Sequence, residues 1–244
     1  MKIVAVEIAG RRRSYMLFDC GEMPIPLCLA KDARSCLMES MASSEFYFDT
    51  TTGVLAKIKS DKYRWRQRPL RWLFRDFIDK RLFFQFEARK EVRGKRVLQR
   101  AGLRTPRCVA WGVSLNPFNR QGSLLLIEHI DGVLTGEQYF LSLTEPERDR
   151  FLAKLCDDLI KLADAGYVHR DLHMNNFLCT SQGEIIWIDT HVKPLPFGSR
   201  AKQRAIYQSV SQWCLPDVRY CTFVYDYLEA ELALGVAAGL KPLR

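Results

Sequence analysis

Residues 167–190, YVHRDLHMNNFLCTSQGEIIWIDT, constrain this chain more than any other stretch. Gly166 closes a helical pattern just before it, two short apolar runs follow, and TSQGE between them reads as a hairpin connection. The segment therefore predicts a helix end, a sharp turn rich in His, Asp and Asn, and a pair of short strands. Turn chemistry accounts for the Asp and Asn side chains after His169, which hydrogen-bond locally to their own backbone. It does not account for Asp189, a lone carboxylate closing the apolar run IIWI.

An Asp on a tight loop (Asp171), an Asn five residues on (Asn176) and a second Asp at the far end of a hairpin (Asp189) can converge on one metal–nucleotide site. Phosphoryl transfer asks a protein for such a set: a carboxylate near the attacking hydroxyl, oxygen ligands for a metal, and cations on the phosphates. Magnesium prefers hard oxygen ligands and keeps several waters, so one amide and one carboxylate suffice.

The rest of the chain divides by periodicity. KIVAVEI, YMLF, EFYFDT and VLAKIK have strand composition, and an antiparallel sheet is their simplest outcome. FEARKEVRGKRVLQRAG predicts one helix, with Phe86, Val92 and Leu98 apolar and Gly102 as its C-cap. RCVAWGVS and SLLLIEHI read as two further strands. TEPE at 144–147 is a capping box for a long helix that runs to Ala165 on a three- and four-residue apolar repeat. Strands lead and helices follow, which predicts an α+β fold with a strand-rich lobe at 1–131 and a mainly helical lobe at 132–244.

Charge narrows the partners. With 37 Lys and Arg against 28 Asp and Glu, the net charge of +9 favours polyanionic ligands, whether nucleotide, nucleic acid or acidic lipid. The eight cysteines contain no C-x-x-C pair, so buried reduced thiols are expected rather than a zinc ribbon. MKIVAVEIAGRRRSY lacks the apolar run of an export signal, and LALGVAAGL at 232–240 falls short of the roughly 20 apolar residues of a spanning helix. An unexported protein, at most peripheral to a membrane, is the expectation.

HRDLHMNN and the later Asp189 resemble the H-R-D-L-x-x-x-x-N catalytic loop and magnesium-binding Asp of the protein-kinase-like superfamily. The resemblance implies a bilobal kinase fold and the cofactors ATP and Mg²⁺. It casts Asp171 as the group that orients the acceptor hydroxyl and takes its proton, and Asn176 and Asp189 as metal ligands. Lys57 in VLAKIK becomes the phosphate-gripping lysine. Its partner is a glutamate of the next helix, Glu91, with Glu87 one turn earlier as the competitor. The backbone C=O of Glu128 and N–H of Ile130, after the strand SLLLI, would read adenine.

Departures narrow the family. No glycine lies between Gly21 and Gly53, so the glycine-rich phosphate loop is missing, and SSEFYF or the stretch at 40–44 would have to serve as any lid. Thr190 and His191 follow Asp189 in place of Phe-Gly, and only the 55 residues 190–244 remain for a platform that docks peptides. The C-lobe is thus expected to be truncated and the acceptor to be small or lipid-linked. Together AKIK, AGLRTPRCVAWG, LLIEHIDG, GYVHRDLHMNNFL and IDTHVKP resemble the bacterial lipopolysaccharide core kinases that phosphorylate heptose. Glu91, eleven residues before Gly102, stands where that family places its glutamate ahead of a similar A-G-L-x-T-P turn.

The resemblance implies phosphorylation of a lipid-linked sugar at the cytoplasmic face of the inner membrane. Residues 62–84, KYRWRQRPLRWLFRDFIDKRLFF, carry eight Lys or Arg against two Asp, with Trp65, Trp72, Phe74 and Phe77 interleaved. An anchor on the anionic inner-membrane surface is the first reading of this stretch, packing on the first lobe the second, and nucleic acid the third. Two other functions stay in view: phosphorylation of a soluble aminoglycoside or metabolite, and a non-catalytic pseudokinase scaffold.

Overall fold

The structure, a computed structural model, describes residues 1–19, 26–41, 44–63, 65–211, 213 and 215–232. It forms two compact units, Met1–Arg93 with Pro106–Ile130, and Gly94–Thr105 with Asp131–Arg244. The division after Ile130 lies one residue from the boundary read in the sequence. Residues 94–105, placed in the first lobe by that reading, pack with the second unit.

The first unit is built on seven strands: β1 (Lys2–Ile8), β2 (Arg11–Phe18), β3 (Leu27–Ala30), β4 (Glu45–Asp49), β5 (Leu55–Lys59), β6 (Cys108–Ser114) and β7 (Ser123–Ile127). Helix α1 (Ala33–Met41) links β3 to β4. Ala9 and Gly10, both at positive φ, make the two-residue turn that joins β1 to β2 with the twist a hairpin needs. The strands do not stop at an antiparallel sheet. They close into a barrel in the order β1-β2-β6-β7-β5-β4-β3, and the closing pair, β1 with β3, is parallel: Val6, Glu7 and Ile8 face Leu27, Cys28 and Leu29.

Alternation fills the barrel. Val4, Val6 and Ile8 of β1, Leu27 and Leu29 of β3, and Ala56 and Ile58 of β5 share its buried interior. SSEFYF, considered above as a lid, supplies β4, which is paired on both sides and so committed to the barrel wall. Of the alternative stretch 40–44, residues 42 and 43 lie outside the described residues.

Two helical segments follow β5. A single turn, α2 (Pro69–Arg71), runs directly into a π-helix (Trp72–Leu82). Then α3 (Glu87–Arg100) begins in the first unit, where Ala88 and Val92, with Phe86 just before them, bury against Trp111, Val113 and Leu125 on the outer barrel face. It ends as the glycine predicted: Gly102 has φ +79°, and the Leu103 N–H donates back to Leu98 O at 2.9 Å.

The second unit is mainly helical. Its elements are β8 (Leu134–Thr135), α4 (Gly136–Ser142), α5 (Glu145–Asp164), β9 (Tyr167–His169), β10 (Phe177–Cys179), β11 (Ile185–Trp187), β12 (Val192–Pro194), α6 (Ser199–Val210) and α7 (Val218–Glu231). The capping box forms: Glu147 Oε2 accepts from the Thr144 N–H at 2.9 Å and from its hydroxyl at 2.6 Å. Leu152, Leu155 and Leu159 of α5 pack with Phe177, Trp187 and Val224 in one core.

The fold is thus α+β, a strand-rich unit and a helical one. No described helix is long and apolar enough to cross a membrane; residues 233–240 of the apolar C-terminal run lie outside the described residues. Six described cysteines are free thiols. Cys156 and Cys179 are buried, and burial pushes both up to about 12. The expectation of buried thiols needs correction at Cys28, Cys108 and Cys221, which are partly exposed, and at Cys36, which is exposed on α1.

Candidate active site

In the first unit, β5 alternates Ala56 and Ile58 into the barrel, so Lys57 projects from the outer face. Its Nζ stands 2.5 Å from Glu91 Oε1 on α3, both side chains mostly buried. The competitor Glu87 pairs with Lys90 of its own helix at 3.1 Å. The Lys57 ammonium is thus fixed in direction by a carboxylate through a charge-assisted hydrogen bond. Beyond β7, the Glu128 N–H donates to Arg107 O at 2.9 Å, and the Glu128 carboxylate accepts from the Arg107 N–H at 3.2 Å. The pairing thus extends one residue past β7, to the segment that holds Glu128 and Ile130.

In the second unit, the turn from His169 to Asn176 is tied to Asp189 through Asn176. The Asn176 side-chain N–H donates to the Asp171 carbonyl at 2.5 Å. The Asn176 carbonyl accepts the N–H groups of both Ile188 and Asp189 at 3.1 Å. One residue therefore joins the loop to the strand end thirteen positions on. Asp171 is exposed and pairs through Oδ1 with His173 Nε2 at 2.8 Å. Asp189 is half-buried; its Oδ1 accepts from the His191 N–H at 3.1 Å and lies 3.3 Å from His191 Nδ1.

The flanking residues brace this arrangement. His169 is fully buried, and burial pushes its imidazole below the ordinary histidine value against the opposing pull of Asp189. It is therefore neutral, and its Nε2–H can donate to the Asp189 carbonyl at 3.2 Å. The Ser209 hydroxyl of α6 donates to the His169 carbonyl at 2.6 Å, and the Arg170 N–H donates to His191 O at 2.7 Å. Asn176 and Asp189 offer an oxygen-only pair, the donor chemistry that suits magnesium with waters completing its shell. Among the described residues no three His, Cys, Asp or Glu side chains group as a metal site.

Two participants went unread in the sequence. His173 carries no signal of its own within HRDLHMNN, because its contact with Asp171 depends on the loop's shape. Gly94 had a signal: a lone glycine inside a charged helix, where alanine would be favoured by about 1 kcal/mol, implies a packing reason. A Cβ on Gly94 would lie 1.9 Å from the Thr190 carbonyl oxygen, next to Asp189. Gly94→Ala is therefore expected to lose about 1–3 kcal/mol of stability, despite the helix propensity, and to weaken magnesium-dependent nucleotide binding. Wild-type melting and affinity in that variant would mean that Thr190 retreats freely.

The sequence model of the lipopolysaccharide kinase (Kdo/WaaP) family matches residues 42–206, a range that includes every residue placed above from Lys57 to His191. Among solved structures, "WaaP in complex with acyl carrier protein" is similar over 84% of this chain and 83% of that one, at 17% identity and a TM-score of 0.48. WbdD is similar over 82% of this chain and 46% of its own, at 16% identity and 0.46. Vaccinia related kinase 3 is similar over 99% and 86%, at 13% identity and 0.42. No curated protein matches the chain in sequence.

Proposed function

The chain belongs to the lipopolysaccharide kinase (Kdo/WaaP) family and is a phosphotransferase acting on a sugar hydroxyl, and from that premise we propose that its acceptor is a heptose of the lipid-linked inner core, met at the cytoplasmic face of the inner membrane. The observation that supports this reading most is the tie through Asn176, which holds the exposed carboxylate of Asp171 and the half-buried one of Asp189 to a single loop.

Asp171 orients the acceptor hydroxyl through the carboxylate oxygen that His173 does not engage, and takes its proton as the oxygen bonds to the γ-phosphorus of ATP. The bond from that phosphorus to the ADP oxygen breaks, in line, with little covalent help from the protein. Asn176 and Asp189 are the residues that would hold magnesium. The Asn176 donor is directed to the Asp171 carbonyl, which leaves its amide oxygen for the cation. When bound, the ion supplies charge neutralisation on the phosphates. Lys57, fixed by Glu91, grips the phosphates, and the Glu128 carbonyl and Ile130 amide read adenine. His169 and Arg170 shape the loop and take no part in the chemistry.

The test is transfer from labelled ATP, with Mg²⁺, to unphosphorylated lipid-linked core, followed by mass spectrometry of the oligosaccharide. Phosphate on a heptose hydroxyl is the expected result. Phosphate on Kdo would move the acceptor within the family, and no transfer to any core acceptor would overturn the reading.

A further inference from the structure

The excursion between β5 and α3 has its polarity inside out. Asp76 of the π-helix is 1% exposed, whereas Leu70 on the turn before it is 69% exposed and Phe74 is 62% exposed. The inner face is fastened to the barrel by polar and aromatic contacts. Lys80 Nζ lies 2.7 Å from Asp61 and 2.8 Å from Asp76, and Asp76 also accepts the Tyr63 N–H at 2.9 Å. Burial alone would lower the Lys80 value, but its bonds to the two carboxylates raise it, so the ammonium stays charged inside this cluster. Arg81 donates to the carbonyls of Ser114 and Asn116 at 3.0 and 3.1 Å. Trp72 stacks on Phe118, ring centres 5.5 Å apart, so it serves as packing and not as an outward anchor.

A helix that buries Asp and Lys while presenting Leu and Phe is the reverse of one facing water. Burying ions is costly; here one ammonium serves two carboxylates, and burial pushes the Asp61 carboxyl above the ordinary value, while the apolar residues gain nothing from an aqueous exterior. The exposed charge around the apolar face is predominantly positive: Arg66, Arg68, Arg71 and Arg75 are all exposed, against the single exposed acid Asp79. That ring opposes docking of a second copy, which would set arginines against arginines. It complements an anionic surface whose interior accepts hydrocarbon.

We propose that Leu70, Leu73 and Phe74 insert into the interfacial layer of an anionic phospholipid bilayer, with Arg68, Arg71 and Arg75 on the headgroups. The Asp61–Lys80–Asp76 cluster then acts as a rivet that keeps the inserted turn fixed to the barrel. Its purpose, presentation of a lipid-linked acceptor, rests on the function proposed above; the physics of insertion does not.

The experiment is co-sedimentation of the full chain with vesicles of phosphatidylglycerol and phosphatidylethanolamine, and separately of phosphatidylcholine. Binding to the anionic vesicles is expected, and L70S/F74S, whose sites are exposed, is expected to keep the wild-type melting midpoint while losing about tenfold or more in vesicle affinity. High salt should weaken the wild type. No binding to anionic vesicles, or equal binding by the double variant, overturns the proposal. Transfer to lipid-linked core dispersed in detergent, measured in parallel, separates the two readings. Vesicle binding without transfer sinks only the enzyme's proposed acceptor, and transfer without vesicle binding sinks only the anchor.

Discussion

Asp171→Ala is expected to lower the phosphorylation rate by roughly 10²–10⁴-fold, the range of a positioned acid–base group, and to retain magnesium–nucleotide affinity. That loss corresponds to about 3–5 kcal/mol of transition-state stabilisation. The substitution is clean for a structural reason. Asp171 is exposed, and the group that Asn176 grips is the Asp171 backbone carbonyl, which alanine keeps. The loop, the Asn176 amide and the bond from Asn176 O to the Asp189 N–H therefore survive. What disappears is the carboxylate and its partnership with His173. Asp171→Asn removes the base but keeps the shape, so it should fall to a similar rate. Single-turnover transfer to the core acceptor, with nucleotide titration alongside, gives both quantities. Full transfer by either variant would remove Asp171 from its role, and a parallel loss of nucleotide affinity would make the residue a strut of the loop instead.

How much of this was legible follows from the range over which each signal acts. The turn at 169–176 and the hairpin after it are local, so their spacing could be read directly and the structure places them together. The Lys57–Glu91 pair crosses 34 positions and was legible only through the family resemblance, which implies Lys57 in VLAKIK and Glu91 ahead of the A-G-L-x-T-P turn. Barrel closure was not legible. Alternation in β1 says which side chains point inward, but nothing in LCLA says that β3 lies parallel to β1 rather than antiparallel to a neighbour. The excursion at 62–84 was legible as composition only. Both tryptophans read as outward anchors by type, and only the stacking on Phe118 reveals that Trp72 is a fastener. Likewise nothing in the stretch itself shows that Asp76 is buried with Lys80 beside it, because a charge is placed inside only when its partners, here Asp61 just after β5, arrive from another part of the chain.

Trp187→Ala is expected to cost about 3–5 kcal/mol of stability, as large-to-small changes at filled core sites do. The ring is fully buried, 5.6 Å from Phe177 and 5.5 Å from His169 between ring centres. Its Nε1–H donates to Asp158 Oδ2 at 3.1 Å, so removal also strips a buried carboxylate of a partner. Lys161 contacts the other oxygen of Asp158 at 3.1 Å and limits that second penalty without cancelling it. Trp187→Phe separates the contributions: it keeps most of the ring and loses only the donor, for about 1–3 kcal/mol. The effect reaches the site through the chain itself. Trp187 ends β11, paired with Phe177, and its N–H is fixed to Arg104 O at 2.8 Å; Ile188 and Asp189 then reach the Asn176 carbonyl. A strand that loses its ring loses the constraint on Asp189, so magnesium-dependent nucleotide binding should weaken in the alanine variant while it is still folded and stay near wild type in the phenylalanine one. Denaturant midpoints at a shared slope measure the stability, and magnesium titrations of nucleotide binding measure the coupling. An alanine variant with an unchanged midpoint would show that the hairpin does not depend on this ring. One that is destabilised but binds magnesium–nucleotide normally would place the control of Asp189 in Asn176 alone.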